Sequence, residues 1–156
     1  MPSAGNVAVE SHEPSVEVRQ WNLQRIGGLA ALTEAAIYVA GILYFLVVLD
    51  YANVTGASQQ VELFVANETS LYAMNLLIYV VFGVVLVGLV LALHDRLKDG
   101  APTTMQAATA FGLIWAGLVI ASGMISNIGT SIVVDLYSTD PNQAAATWLA
   151  ISPVVE

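Results

Sequence analysis

Three long apolar runs constrain this chain more than any other feature of its sequence. They cover about residues 26–49, 71–93 and 105–128. At 1.5 Å per residue, a helix of this length crosses the roughly 30 Å hydrocarbon core of a bilayer. The second run carries no charged residue, and a buried helix of a soluble protein rarely stays apolar on every face for so long. The sequence predicts an all-α transmembrane helical bundle with three full spans.

The composition agrees with insertion into a membrane. Of the 156 residues, 57% are hydrophobic and 10% are charged, against roughly 45–50% and 25% in soluble domains. The net charge of −8 argues against a nucleic-acid partner, because such a partner requires a basic surface. The expected partner is the lipid bilayer, together with the protein itself or another membrane protein bound through small-residue helix faces.

The positions of the basic residues predict the orientation. All four lie before the first run or between the second and third: Arg19, Arg25, Arg96 and Lys98. Lys and Arg close to a span stay on the cytoplasmic side. We therefore expect a cytoplasmic (inner) membrane protein with residues 50–70 and 130–156 on the outer side. Residues 1–20 are predicted to form a disordered acidic cytoplasmic tail, and residues 21–156 the integral membrane domain.

Two shorter helices are predicted outside the spans. Residues 58–65 (SQQVELFV) favour a surface helix with Val61, Phe64 and Val65 towards lipid. Asp140 and Pro141 favour the start of a helix over about 141–151, because Asp caps a helix and Pro suits its first position. This C-terminal helix is half the length of a span. It is either an interfacial helix or, as we favour, a partial fourth span of a longer chain.

Glu34 is the one ionisable residue deep inside an apolar run. An acid within a span is by default a functional hypothesis. The residues expected on its helical face are small or aromatic: Gly27, Ala31, Tyr38 and Gly41. We therefore expect Glu34 to face the bundle, with Thr109 and Trp115 of the third run as hydrogen-bond partners. Glu34, Tyr38, Thr109 and Trp115 form a candidate intramembrane polar site, which either ties helices together or binds a proton or cation.

A second polar group is expected near the outer ends of the second and third runs. Its members are Asn75, Ser122, Ser126 and Asn127. They predict either a small outward-facing pocket or only interhelical hydrogen bonds, which contribute about 0.6–2 kcal/mol each. This outer cluster lies at a different depth from Glu34, so the two groups do not predict a single transport path.

No catalytic residue, metal site or cofactor is predicted. The chain has no cysteine, and His12 and His94 are too far apart in sequence for metal-ligand spacing. No phosphate-binding glycine loop occurs. The leading interpretation is a non-enzymatic scaffold or assembly partner. The alternative is a small transporter or channel component that uses Glu34 as an intramembrane proton or cation site.

A resemblance to a known family rests on four stretches: FGLIWAGLVIASGMISNIG, VVDLYSTDPNQAAATWLAI, VANETSLYAMNLL and LALHDRLK. Together they resemble a family of uncharacterised bacterial multi-pass integral membrane proteins classed as a domain of unknown function. The resemblance covers about residues 25–156. It implies further hydrophobic helices after residue 156, so that this chain would be an N-terminal portion, and it implies no activity.

Overall fold

The computed structural model describes residues 16–155, with side chains from Gln24 to Val154, and this part of the chain is helical without strands. Three of its helical segments are long and apolar enough to cross a membrane. We call them span 1 (Gln24–Val48), span 2 (Glu68–Leu97) and span 3 (Pro102–Tyr137). The predicted all-α bundle with three spans and a short C-terminal helix is thus confirmed. Most of the tail predicted at 1–20 lies outside the described residues.

The elements follow one another through short turns, and two stretches inside the spans are π-helical rather than α-helical. In chain order they are α1 (Val16–Leu43), a π-helical turn (Tyr44–Val48), a 3₁₀ turn (Tyr51–Asn53), α2 (Ala57–Ala66), α3 (Glu68–Asn75), a π-helical turn (Leu76–Val81), α4 (Phe82–Leu97), α5 (Pro102–Tyr137) and α6 (Pro141–Val155).

Span 2 lies at the centre of the bundle, because spans 1 and 3 both pack against it and scarcely contact each other within the described chain. Glycine permits the helices to approach closely in both seams, by which we mean the packed interface of spans 1 and 2 and that of spans 2 and 3. Gly27 of span 1 faces Ala92, and Gly123 of span 3 faces Tyr79. Small residues of this kind let helix backbones approach closely in a membrane. The arrangement leaves a groove over span 2, between spans 1 and 3.

One end of the bundle is covered by α2 and α6, which pack on each other and on α5. The buried core concentrates here, around Val61, Phe64, Val133 and Trp148. We call this the capped end, and the end near Arg96 the basic end. The expectation that Val61 and Phe64 face lipid is wrong, since both are buried in this core. Helix α6 supplies the apolar surface that covers them.

Helix α6 begins as the sequence predicts. Asp140 Oδ1 accepts hydrogen bonds from the backbone N–H groups of Asn142 and Gln143, at 3.0 and 3.1 Å. The chain reverses in the turn before Asp140, and α6 folds back against α5 and α2. It extends to Val155, and Trp148 at its centre is only 3% exposed. The C-terminal helix is therefore docked on the bundle along one face.

Candidate functional site

Glu34 lies in the middle of the one buried stripe of span 1. The stripe consists of Gly27, Ala30, Ile37, Gly41 and Tyr44. Because Gly27 faces Ala92 and Gly41 faces Ile78, the antiparallel register places Glu34 opposite Val85 of span 2. The carboxyl oxygen Oε1 is enclosed and has no hydrogen-bond partner among the described residues. The expectation that Glu34 faces the bundle agrees with this position, although Ala31 and Tyr38 lie on the exposed flank.

The two side chains expected to bond Glu34 have other positions. Thr109 Oγ1 donates to the carbonyl of Met105 at 2.6 Å, and it therefore accepts a hydrogen bond from His94 Nδ1 at 2.7 Å. Trp115 is 61% exposed and makes no hydrogen bond within the described chain. Both partners were expected because they lie at a similar depth in the membrane to Glu34. Equal depth does not determine which two spans pack against each other.

The groove between spans 1 and 3 has a volume of about 590 Å³ and an almost wholly apolar lining. It extends from Tyr38 and Trp115 towards Phe45 at the capped end. Tyr38 is 66% exposed, and within the described residues its hydroxyl forms no hydrogen bond. Glu34 lies one helical turn from Tyr38, on the side of the basic end. Tyr38 and Trp115 thus place two polar groups in the wall of an apolar groove, and Glu34 adds a third in the adjoining contact between spans 1 and 2. None of the three forms a hydrogen bond within the described part of the chain.

The outer cluster is partly assembled. Asn75 Nδ2 donates to Asn127 Oδ1 at 3.0 Å, and the two residues are 5% and 8% exposed. Ser126 lines a cavity together with Asn75, whereas Ser122 is exposed. The structure therefore brings together Asn75, Asn127 and Ser126. The hydrogen bond ties span 2 to span 3, as the packing interpretation of these residues requires.

Two cavities adjoin Asn75. One, of about 310 Å³, is polar and includes Glu68 and Asn127 in its wall. The other, of about 250 Å³, is largely aromatic and includes Trp148. Asn75 and Thr130 line both cavities. Sequence reasoning missed the aromatic cavity, because its walls come from α2, α6 and the spans, and no local pattern signals that they meet.

Within the described residues, no group of three His, Asp or Glu side chains is placed to hold a metal ion. No family model, no curated protein and no solved structure matches this chain. Three features of the geometry bear on function: the seam that contains Glu34, the groove and the paired cavities.

Proposed function

We propose that this chain is a non-enzymatic scaffold of the cytoplasmic membrane, which associates with a second copy of itself through the groove between spans 1 and 3. The basic end would face the cytoplasm, since Arg96 and Lys98 resist translocation. The observation that carries the proposal is the set of unpartnered polar groups beside the groove. The family resemblance suggested by the sequence is compatible with this membrane and stays a prediction.

The depth of these groups argues for a protein partner rather than lipid. Tyr38 lies ten residues before the end of span 1 at Val48, which is about 15 Å along a helix. That distance is half the thickness of the hydrocarbon core. Tyr and Trp ordinarily lie at the interface, where the polar tip meets water. A lipid acyl chain has no hydrogen-bonding group, whereas a polar side chain of another helix has one.

The unpartnered groups are complementary to one another. Glu34 supplies an acceptor, and the Tyr38 hydroxyl and the Trp115 indole supply donors. In a two-fold symmetric pair the same surface of each copy meets its equivalent, so the donors of one chain can meet the carboxyl of the other. Interhelical hydrogen bonds in membranes average about 0.6 kcal/mol and reach about 1.7. Most of the stabilisation must therefore come from side chains that fill the groove.

Single-cysteine variants test this proposal, because the chain has no cysteine of its own. Ile42→Cys places a thiol in the groove, and Ile114→Cys places one on an exposed part of span 3 that does not line it. Under oxidation at a low protein-to-lipid ratio, we expect a disulfide-linked dimer from the first variant and not from the second. Equal cross-linking of both variants, or none of either, would reject the groove as the self-association surface.

Proton or cation transport is a second candidate, favoured by the enclosed and unpartnered Oε1 of Glu34. No polar path leads from it to the outer cluster within the described chain, since the seam between them contains Ile37, Gly41 and Ile78. Glu34→Gln separates the two functions. A scaffold should tolerate the near-isosteric amide, whereas a transporter should lose pH-dependent flux in liposomes. Loss of flux with unchanged cross-linking at position 42 would reject the scaffold.

A further inference from the structure

The aromatic cavity at the capped end has an unusual wall. Five rings contribute to it from five separate parts of the chain: Phe45, Tyr51, Phe64, Tyr79 and Trp148. The rings differ in orientation. Phe64 meets Trp148 edge to face at a centroid distance of 4.8 Å, and it is stacked with Tyr51 at 6.5 Å. Several aromatic rings around one cavity are the arrangement that binds organic cations, because each ring face is electrically negative.

A single side chain of α2 holds two of these rings by their polar edges. Gln60 Oε1 accepts a hydrogen bond from Trp148 Nε1 at 2.7 Å, and Gln60 Nε2 donates to the Tyr51 hydroxyl at 3.0 Å. The Trp148 indole N–H and the Tyr51 hydroxyl therefore form hydrogen bonds with Gln60 and do not need a ligand as partner. The wall is fixed before any ligand arrives, and such preorganisation reduces the entropy lost on binding.

The floor of the cavity carries a buried acceptor. Asn75 is 5% exposed, and its Nδ2 is committed to Asn127. Within the described residues its Oδ1 makes no hydrogen bond. Since Asn75 lines the aromatic cavity and the polar one, this oxygen is available to a ligand. A carbonyl oxygen is suited to a cationic or hydrogen-bond-donating group.

The charge around the cavity also favours a cation. Glu68 lines the neighbouring polar cavity, which shares Asn75 and Thr130 with the aromatic one. No Lys, Arg or His occurs between residues 26 and 93 or after Lys98, so the capped end carries acidic side chains without nearby basic ones. A surface of one charge sign raises the local concentration of oppositely charged ligands.

We propose that the aromatic cavity is a binding site for a small organic cation of the quaternary ammonium class, which enters from the capped end past Glu68. The volume of about 250 Å³ is below the roughly 300–1,000 Å³ of sites for drug-sized ligands, so the ligand is small. The cavity shares Phe45 and Tyr79 with the groove, so the two proposals are tested by different measurements: choline binding for this site, and cross-linking at position 42 for the self-association.

Calorimetric titration of the wild-type chain in lipid nanodiscs tests the proposal directly. The probes are choline and 3,3-dimethylbutan-1-ol, which is the uncharged carbon analogue of choline. We expect saturable binding of choline, at least about 10-fold tighter than that of the alcohol. Equal binding of the two probes would identify an apolar pocket rather than a cation site. The absence of saturable choline binding up to about 10 mM would also overturn the proposal.

Paired variants locate the binding site. Phe45→Leu removes one ring of the cavity, and Phe111→Leu makes the same change on an exposed part of span 3. Because Phe45 also lines the groove, cross-linking through Ile42→Cys is measured in the same Phe45→Leu background. We expect choline affinity to fall about 5–30-fold in the first variant and to change less than about twofold in the second. Glu68→Gln should weaken choline binding more at low salt than at high salt, while Glu62→Gln, outside both cavities, serves as its control. Equal effects within each pair would refute the assignment to this cavity.

Discussion

Replacing Gly123 by alanine is expected to force spans 2 and 3 apart. An alanine Cβ at this position would overlap the Cβ of Tyr79 and lie 2.6 Å from its Cγ. These atoms are the root of the tyrosine side chain, so a change of rotamer does not move Cβ out of the way. The helices themselves must separate, and the nearby hydrogen bond between Asn75 and Asn127 is then stretched as well.

The size of the effect follows from two opposing contributions. Inserting a methyl group into a packed seam costs about 1–3 kcal/mol, and replacing glycine by alanine inside a helix favours folding by about 1 kcal/mol. Gly117→Ala provides the matched control, because a Cβ added at this position would meet no neighbouring atom within 4 Å. Gly117→Ala therefore gains the helix contribution of alanine without the cost of overpacking. We therefore expect Gly123→Ala to be less stable than Gly117→Ala by about 1–3 kcal/mol.

The free energy of unfolding in mixed micelles, measured by steric trapping, provides the assay. Far-UV circular dichroism of each variant establishes that the helices form before stabilities are compared. Free energies of unfolding within about 0.5 kcal/mol of each other, the usual uncertainty of additivity at independent sites, would refute this prediction. Such a result would mean that Gly123 and Tyr79 are not in close contact.

Two further predictions concern the hydrogen bonds of the capped end. In a double-mutant cycle of Asn75→Ala and Asn127→Ala, we expect a coupling free energy of about 0.6–1.7 kcal/mol, and a coupling of zero would contradict the contact between them. Gln60→Leu removes the acceptor of the Trp148 indole, so amide hydrogen exchange in α6 should become faster while that in span 2 stays unchanged. Equal protection of α6 in the wild type and the variant would show that this hydrogen bond does not hold the helix.

The spans were predictable because the length of an apolar run is a local property of the sequence. The predicted third span ended near residue 128, whereas α5 continues to Tyr137. The apolar stretch ends at three polar residues, Thr130, Ser131 and Asp135. The helix continues through them, because they keep the backbone hydrogen bonds of α5. Val133 is fully buried against the cap, which stabilises the additional turns through a contact that hydropathy cannot predict.

The candidate sites were harder to predict than the spans. We expected Ala31 and Tyr38 to share the buried face of span 1 with Glu34. In the structure their neighbours Ala30 and Ile37 are buried instead. One residue corresponds to a rotation of about 100°, and small residues on both faces leave the pattern ambiguous. The aromatic cavity depends on a contact between Gln60 and Trp148, 88 residues apart, which no local spacing can indicate.

The two polar features of the membrane region differ in a way that bears on function. Asn75 and Asn127 meet across the seam between spans 2 and 3 and satisfy each other. Glu34 lies at a different depth, in the seam between spans 1 and 2, and its enclosed Oε1 has no hydrogen-bond partner among the described residues. A hydrogen bond that holds two helices together needs a polar group on each helix, and an apolar side chain cannot supply one. The partner of Glu34 is therefore to be sought outside the described part of a single chain, and under the proposed self-association a second copy seated in the groove that Tyr38 and Trp115 line would supply it.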